Sequence, residues 1–277
     1  MPSPVPTPPT SSLHHQLRGH GPRLVLVHGF TQTGRLWGGL DDDLASDHTV
    51  VQVDLPGHAG STQVAATLVD GALGLAGVGG KATYVGYSMG ARFCLHVALA
   101  RPDQVDALVL ISGTAGIEDP IARQERRSAD LALADRLDPG TGSGTPPVPV
   151  DVFLSQWMDQ PIFSDLGPQA QALEERLRNT GPGLASSLRL AGTGIQRPLW
   201  GLVGRLDMPV LVITGSRDDK FTTLGAQMVA AIGANARHVV VPEAGHAPHL
   251  RHPAAVAEAI RTWRPVPGPA PVRPAVT

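Results

Sequence analysis

A-T-Y-V-G-Y-S-M-G-A-R, residues 82–92, sets a lone serine between two glycines where two different patterns meet. A β-branched and aromatic run leads into Ser88, and M-G-A-R-F-C-L-H-V-A-L-A follows it with helical character. With 14 serines and 32 glycines in the chain, chance alone yields roughly 0.2 matches to G-x-S-x-G. The motif therefore takes its meaning from its setting. A strand that turns sharply into a helix at a serine is a nucleophile elbow, which lifts the hydroxyl clear of the sheet. Gly86 and Gly90 then have a physical reason, because side chains two residues either side of the turn would collide.

Short apolar runs recur outward from this point, at 23–28 (R-L-V-L-V-H), 49–54 (T-V-V-Q-V-D), 106–112 (D-A-L-V-L-I-S), 209–214 (P-V-L-V-I-T) and 237–242 (R-H-V-V-V-P). They lack period-2 alternation, as expected of strands buried on both faces of a parallel sheet. Helical patterns at 89–100, 222–232 and 253–263 separate several of them, which predicts an α/β fold with a mostly parallel, doubly wound sheet. The gap between the runs at 106–112 and 209–214 far exceeds the dozen or so residues a crossover needs. Its arginine-rich helical texture predicts a helical cap over 114–206, inserted into a core of 13–113 and 207–263. The proline-rich ends, 1–12 and 264–277, carry too little apolar surface to offset the entropy of ordering and are expected to be disordered tails.

The chain of 277 residues has 22 Lys and Arg against 24 Asp and Glu, a net charge of −2. That balance offers no basic field for nucleic acid and no acidic tail. A charged ligand must be met by individual side chains, nearly all of them arginine, since lysine occurs only at 81 and 220. Cys94 is the single cysteine, which excludes an internal disulfide and any cysteine-rich metal framework. No other residues have metal-ligand spacing, so no metal is expected. The absence of a signal-like N-terminus and of any membrane-length apolar run predicts a cytoplasmic protein without a membrane partner.

A serine hydroxyl needs an imidazole oriented by a carboxylate before it becomes a useful nucleophile or base. Later strand ends supply both, in the order serine, acid, histidine. G-S-R-D-D-K-F follows P-V-L-V-I-T, and Asp218 is the expected acid because it lies nearer the strand; Asp219, the alternative, is expected to cap the next helix. E-A-G-H-A-P-H follows R-H-V-V-V-P, and His246 is the expected base; His249 and His252, at a helix start, are expected to do capping or surface work. Donors for a developing oxyanion are expected at the Phe30 N–H in H-G-F and the Met89 N–H behind Ser88. His58, Cys94 and His96 read as structural residues.

Together H-G-F (28–30), D-L-P-G-H (54–58), G-Y-S-M-G (86–90), G-S-R-D (215–218) and A-G-H (244–246) resemble the α/β-hydrolase fold superfamily over the whole folded region. A narrower resemblance is carried by R-R-S-A-D (126–130), Q-W-M-D-Q-P-I-F (156–163), A-G-T-G-I-Q-R-P-L-W (191–200) and L-D-M-P-V-L-V-I-T-G-S-R-D-D-K-F (206–221). These look like the 2-succinyl-6-hydroxy-2,4-cyclohexadiene-1-carboxylate synthases of menaquinone biosynthesis. That resemblance implies a cofactor-free lyase, in which a Ser-His-Asp unit acts as a base and pyruvate leaves an enolpyruvyl succinyl-cyclohexene carboxylate. It also implies that Arg126 and Arg178 hold substrate carboxylates and that Tyr87 and Trp157 line the pocket. Arg92, one turn beyond Ser88, is placed to face the same anionic substrate. The alternative reactions are hydrolysis of a carboxylic ester or of a C–C bond beside a carbonyl; a third reading is a binding protein without catalysis. Three departures stand out: Ala91 for a second glycine after the elbow, Ala59 in the usual G-H-G turn, and a Pro/Gly loop at 138–149 expected to alter the substrate-selecting cap.

Overall fold

A computed structural model describes residues 12–141 and 143–263. Apart from Ser12, the two expected tails lie outside the described residues. The chain opens with β1 (His15–Gly19), β2 (Arg23–Val27), α1 (Leu40–Leu44), β3 (Thr49–Val53), α2 (Leu68–Gly79), β4 (Ala82–Tyr87), α3 (Met89–Ala100) and β5 (Val105–Ile111). Then come α4 (Pro120–Leu137), α5 (Val150–Met158), α6 (Pro168–Gln171), α7 (Leu173–Arg176), α8 (Gly181–Ala191) and α9 (Trp200–Val203), with no strand among the described residues of this stretch. The chain returns through β6 (Val210–Gly215), α10 (Asp219–Ile232), β7 (Ala236–Val241), α11 (Pro248–Arg251) and α12 (Pro253–Thr262).

The seven strands form one sheet in the order β1-β3-β2-β4-β5-β6-β7. All neighbours are parallel except β1 and β3. The six expected strands fall within a residue of their sequence positions. β1 was not expected: H-Q-L-R-G has one apolar side chain, and it pairs only at the sheet edge with most of its residues exposed, where no hydrophobic pattern is required.

Alternation along the inner strands sends successive side chains to opposite faces. Val25, Val27, Leu108, Leu110, Val210 and Val212 join the core under α2 and α3. Leu24, Leu26, Val109, Ile111, Leu211 and Ile213 join the one under α1 and α12. This double burial is why the strands read as unbroken apolar runs.

Helix starts in the long insertion are written locally. Asp119 accepts the Ala122 N–H at 2.7 Å ahead of Pro120, and Thr180 accepts the Gly183 N–H at 3.1 Å ahead of Pro182. α4, α5 and α8 then bury Ala134, Leu137, Phe153, Leu154, Leu184 and Leu188 against one another.

The chain steps from β2 to β3 on one side, then crosses to β4 on the other. Its topological switch point is therefore the gap between the carboxyl ends of β2 and β4, where α/β sheets open a ligand crevice. His28-Gly29-Phe30 leaves one side of that gap and Ser88 the other.

Candidate active site

Ser88 joins β4 to α3 with φ 51° and ψ −106°, a conformation that L residues adopt only when their surroundings impose it. A Cβ on Gly86 would sit 2.5 Å from the Gly90 carbonyl oxygen across the turn. One on Gly90 would overlap the backbone of Val27 at the end of β2. The two glycines thus let the elbow close on itself and sit against the neighbouring strand.

Ser88 Oγ lies 3.1 Å from His246 Nε2, and His246 Nδ1 lies 2.7 Å from Asp218 Oδ2. With a carboxylate against Nδ1, the neutral ring keeps its proton there and offers Nε2 as acceptor to the serine hydroxyl. Asp218 also accepts the Phe221 N–H through Oδ1 at 3.1 Å. One carboxylate therefore caps α10 and faces the imidazole; the capping role expected of Asp219 falls to Asp218, and Asp219 is exposed. Gly215 is what allows β6 to approach the histidine loop, since a Cβ there would overlap the carbonyls of Ala244 and Gly245. Asp165 pins the same loop by accepting the Gly245 N–H at 2.6 Å. Phe221 and Tyr87 stand 4.3 and 5.4 Å from the His246 ring.

Gly29 brings the β2 end against Tyr87, whose ring would meet a Cβ there at 2.6 Å. The Met89 N–H, at the first helical position, has no intrahelical acceptor. Among the described residues the Phe30 N–H donates to no protein group either. His28 accepts the Leu55 N–H at Nε2 (3.0 Å), which leaves Nδ1 to donate to the Gly29 carbonyl (2.8 Å). Burial lowers its pKa, against the opposing pull of Asp54. His58 is buried beside it, and burial and then His28 push its pKa down to about 3.

A cavity of about 760 Å³ opens over Ser88 and His246, and its wall includes Phe30, Arg92, Arg126 and Trp157. Tyr87 and Met89 also contribute to it. Arg92 is 4% exposed. Its guanidinium makes only two long hydrogen bonds, from Nη1 to the Gly192 carbonyl and to Gln196 Oε1, both at 3.4 Å. Among the described residues no carboxylate lies within ion-pair distance of it, whereas Arg126 is held by Asp130 at 2.7 Å. Burial first, then the nearby Arg126 charge, lowers the Arg92 pKa to about 10. The Trp157 indole N–H is likewise buried without a partner among the described residues.

Two expectations are corrected here. Arg178 does not reach the cavity wall; it is exposed and pairs with Glu175 at 3.4 Å. α7 ends at Arg176, and that side chain turns inward instead, donating to Thr31 Oγ1 and the Gln171 carbonyl, each at 2.7 Å. His249 does no surface work: it is fully buried, 4.2 Å from the Tyr87 ring and 5.2 Å from Trp37, and desolvation holds it well below the usual histidine pKa. The loop at 138–149 contributes no described residue to the cavity wall. Ala59, by contrast, keeps its turn by adopting φ 38° without glycine. Arg176, Asn179 and Asp165 were not legible, because each acts on a loop distant in sequence and sits in no local motif.

The Alpha/beta hydrolase family matches residues 24–259, and the chain belongs to that family. Over 248 residues it is 34% identical to a Bacillus subtilis (strain 168) protein provisionally named 2-succinyl-6-hydroxy-2,4-cyclohexadiene-1-carboxylate synthase, across 83% of this chain and 85% of that one. It is 29% identical to the 2-succinyl-6-hydroxy-2,4-cyclohexadiene-1-carboxylate synthase of Escherichia coli O1:K1, across 88% and 95%. The solved structure of MenH from S. aureus shares the fold, with a TM-score of 0.76 at 24% identity over 91% of this chain and 97% of that one.

Proposed function

We propose that the chain is a lyase of menaquinone biosynthesis that eliminates pyruvate from an enolpyruvyl succinyl-cyclohexene carboxylate without a cofactor. In this reading His246, oriented by Asp218, takes the Ser88 proton as the serine oxygen removes the ring proton beside the succinyl carbonyl. The Phe30 and Met89 N–H groups receive the enolate charge that develops on that carbonyl, and the start of α3 adds its dipole. Electrons then move through the ring double bond and expel the enolpyruvyl oxygen, which leaves as pyruvate after protonation. No water attacks and no acyl-enzyme forms.

The observation that carries this reading is the buried Arg92 cation in the wall over Ser88, which has no carboxylate partner among the described residues. A guanidinium out of water without a carboxylate is costly, and a substrate carboxylate would supply the missing partner in bidentate geometry. The names of the relatives support the same reading. Incubating the purified protein with the enolpyruvyl substrate and coupling pyruvate to lactate dehydrogenase tests it: pyruvate release with little turnover of a p-nitrophenyl ester is expected. Ester turnover without pyruvate would move the reading to a serine hydrolase, which the same relay and donors would also serve.

A further inference from the structure

We propose that Asn179 is the positioning residue that aims the Phe30 N–H, and so ties the helical insertion to the oxyanion site. The inference rests on the reading that this N–H receives developing negative charge. Asn179 is buried, and its side chain joins two loops that meet nowhere in sequence. Nδ2 donates to the carbonyl of Thr31 at 2.9 Å, with the Gln32 carbonyl at 3.4 Å and that of Arg176 at 2.9 Å; Oδ1 accepts the Ala59 N–H at 3.0 Å.

Both loops are strained where it holds them. Thr31, a β-branched residue, has φ 67° and Ala59 has φ 38°, conformations such residues keep only under outside constraint. The turn at Thr31 brings the Gln32 N–H back onto the Gly29 carbonyl at 3.1 Å, where it joins the His28 Nδ1 donor. A trans peptide points its N–H opposite to its C=O. Holding the Gly29 carbonyl from two sides therefore fixes the direction of the Phe30 N–H in the same peptide plane. Asn179 reaches that plane through Thr31 and Gln32, touching neither the cavity wall nor Ser88.

The test is a split between kcat and KM. In Asn179→Ala, and in Asn179→Asp, which keeps an acceptor for Ala59 but offers no donor to Thr31 or Gln32, kcat for pyruvate release is expected to fall ten- to hundredfold. KM should stay within about threefold. The fall is smaller than the 10²–10³ typical when an oxyanion donor is removed outright, since the N–H is misaimed and not lost. Thr62→Val, which breaks the Thr62–Thr180 contact between insertion and core elsewhere (2.7 Å), is expected to leave kcat unchanged. If Asn179→Ala does not fold, Asn179→Asp gives the same reading. Asn179 variants that match Thr62→Val, or that raise KM alone, would overturn the proposal while a dead Ser88→Ala leaves the site reading intact. A parent protein silent on both the enolpyruvyl substrate and the ester would overturn both.

Discussion

At Arg92 the physics of a single side chain can be separated from the family to which the chain belongs. A buried cation whose only partners among the described residues are two neutral oxygens at 3.4 Å adds little to stability, and in the proposed function its role is to recognise an anion. Arg92→Met should raise KM for the polyanionic substrate at least tenfold, with no loss of melting temperature; steady-state kinetics beside thermal unfolding would show it. A variant that melts lower with KM unchanged would make Arg92 a structural residue. Arg178→Ala should leave KM within about twofold and the melting temperature essentially unchanged, because the exposed pair it makes with Glu175 is of a kind worth less than about 1 kcal/mol. Sequence spacing could place Arg92, which follows Ser88 by one helical turn. The resemblance points to Arg178, and nothing in the local sequence shows that Arg176 instead turns inward, because α7 is a single turn whose inward side is set by contacts with Thr31 and Gln171.

At the scale of elements, the strands were legible because both faces of the inner sheet are buried, so hydrophobicity alone reports them. β1 was illegible for the opposite reason, having an exposed face and a free edge. The elbow was legible because backbone geometry forces its glycines, whereas the loop carrying His246 is held by groups that no motif records. Gly215→Ala should push β6 and the 244–246 turn apart; a stability loss of about 1–3 kcal/mol in urea unfolding is expected, of the size seen when a packed region is overfilled or strained. Asp165→Ala removes the acceptor of the Gly245 N–H and should cost about 1–2 kcal/mol. It should also lower kcat more than it raises KM, since the histidine loop loosens without losing a wall of the cavity. Unchanged kcat in a folded Asp165→Ala protein would show that the loop is held by β6 alone.

For the whole molecule, desolvated histidines set a limit on the acid side. Burial pushes the pKa of fully buried His58 down to about 3 and that of half-buried His96 down to about 4, while an unfolded histidine takes its proton near 6.5. Between those values the unfolded state binds more protons, so stability falls as pH drops below about 6.5, at up to roughly 1.4 kcal/mol per unit for each such histidine. The melting temperature should decline steadily from pH 7 to pH 5; a flat profile over that range would mean these rings reach water or a counterion. Above pH 7 they add no slope. The proposed reaction rests on one contact between distant parts of the chain, the 3.1 Å approach of Ser88 Oγ to His246 Nε2. The most direct measurement is kcat/KM for pyruvate release by Ser88→Ala. A loss of at least 10³-fold with native melting behaviour is predicted, and a folded variant that releases pyruvate at the parent rate would contradict the account.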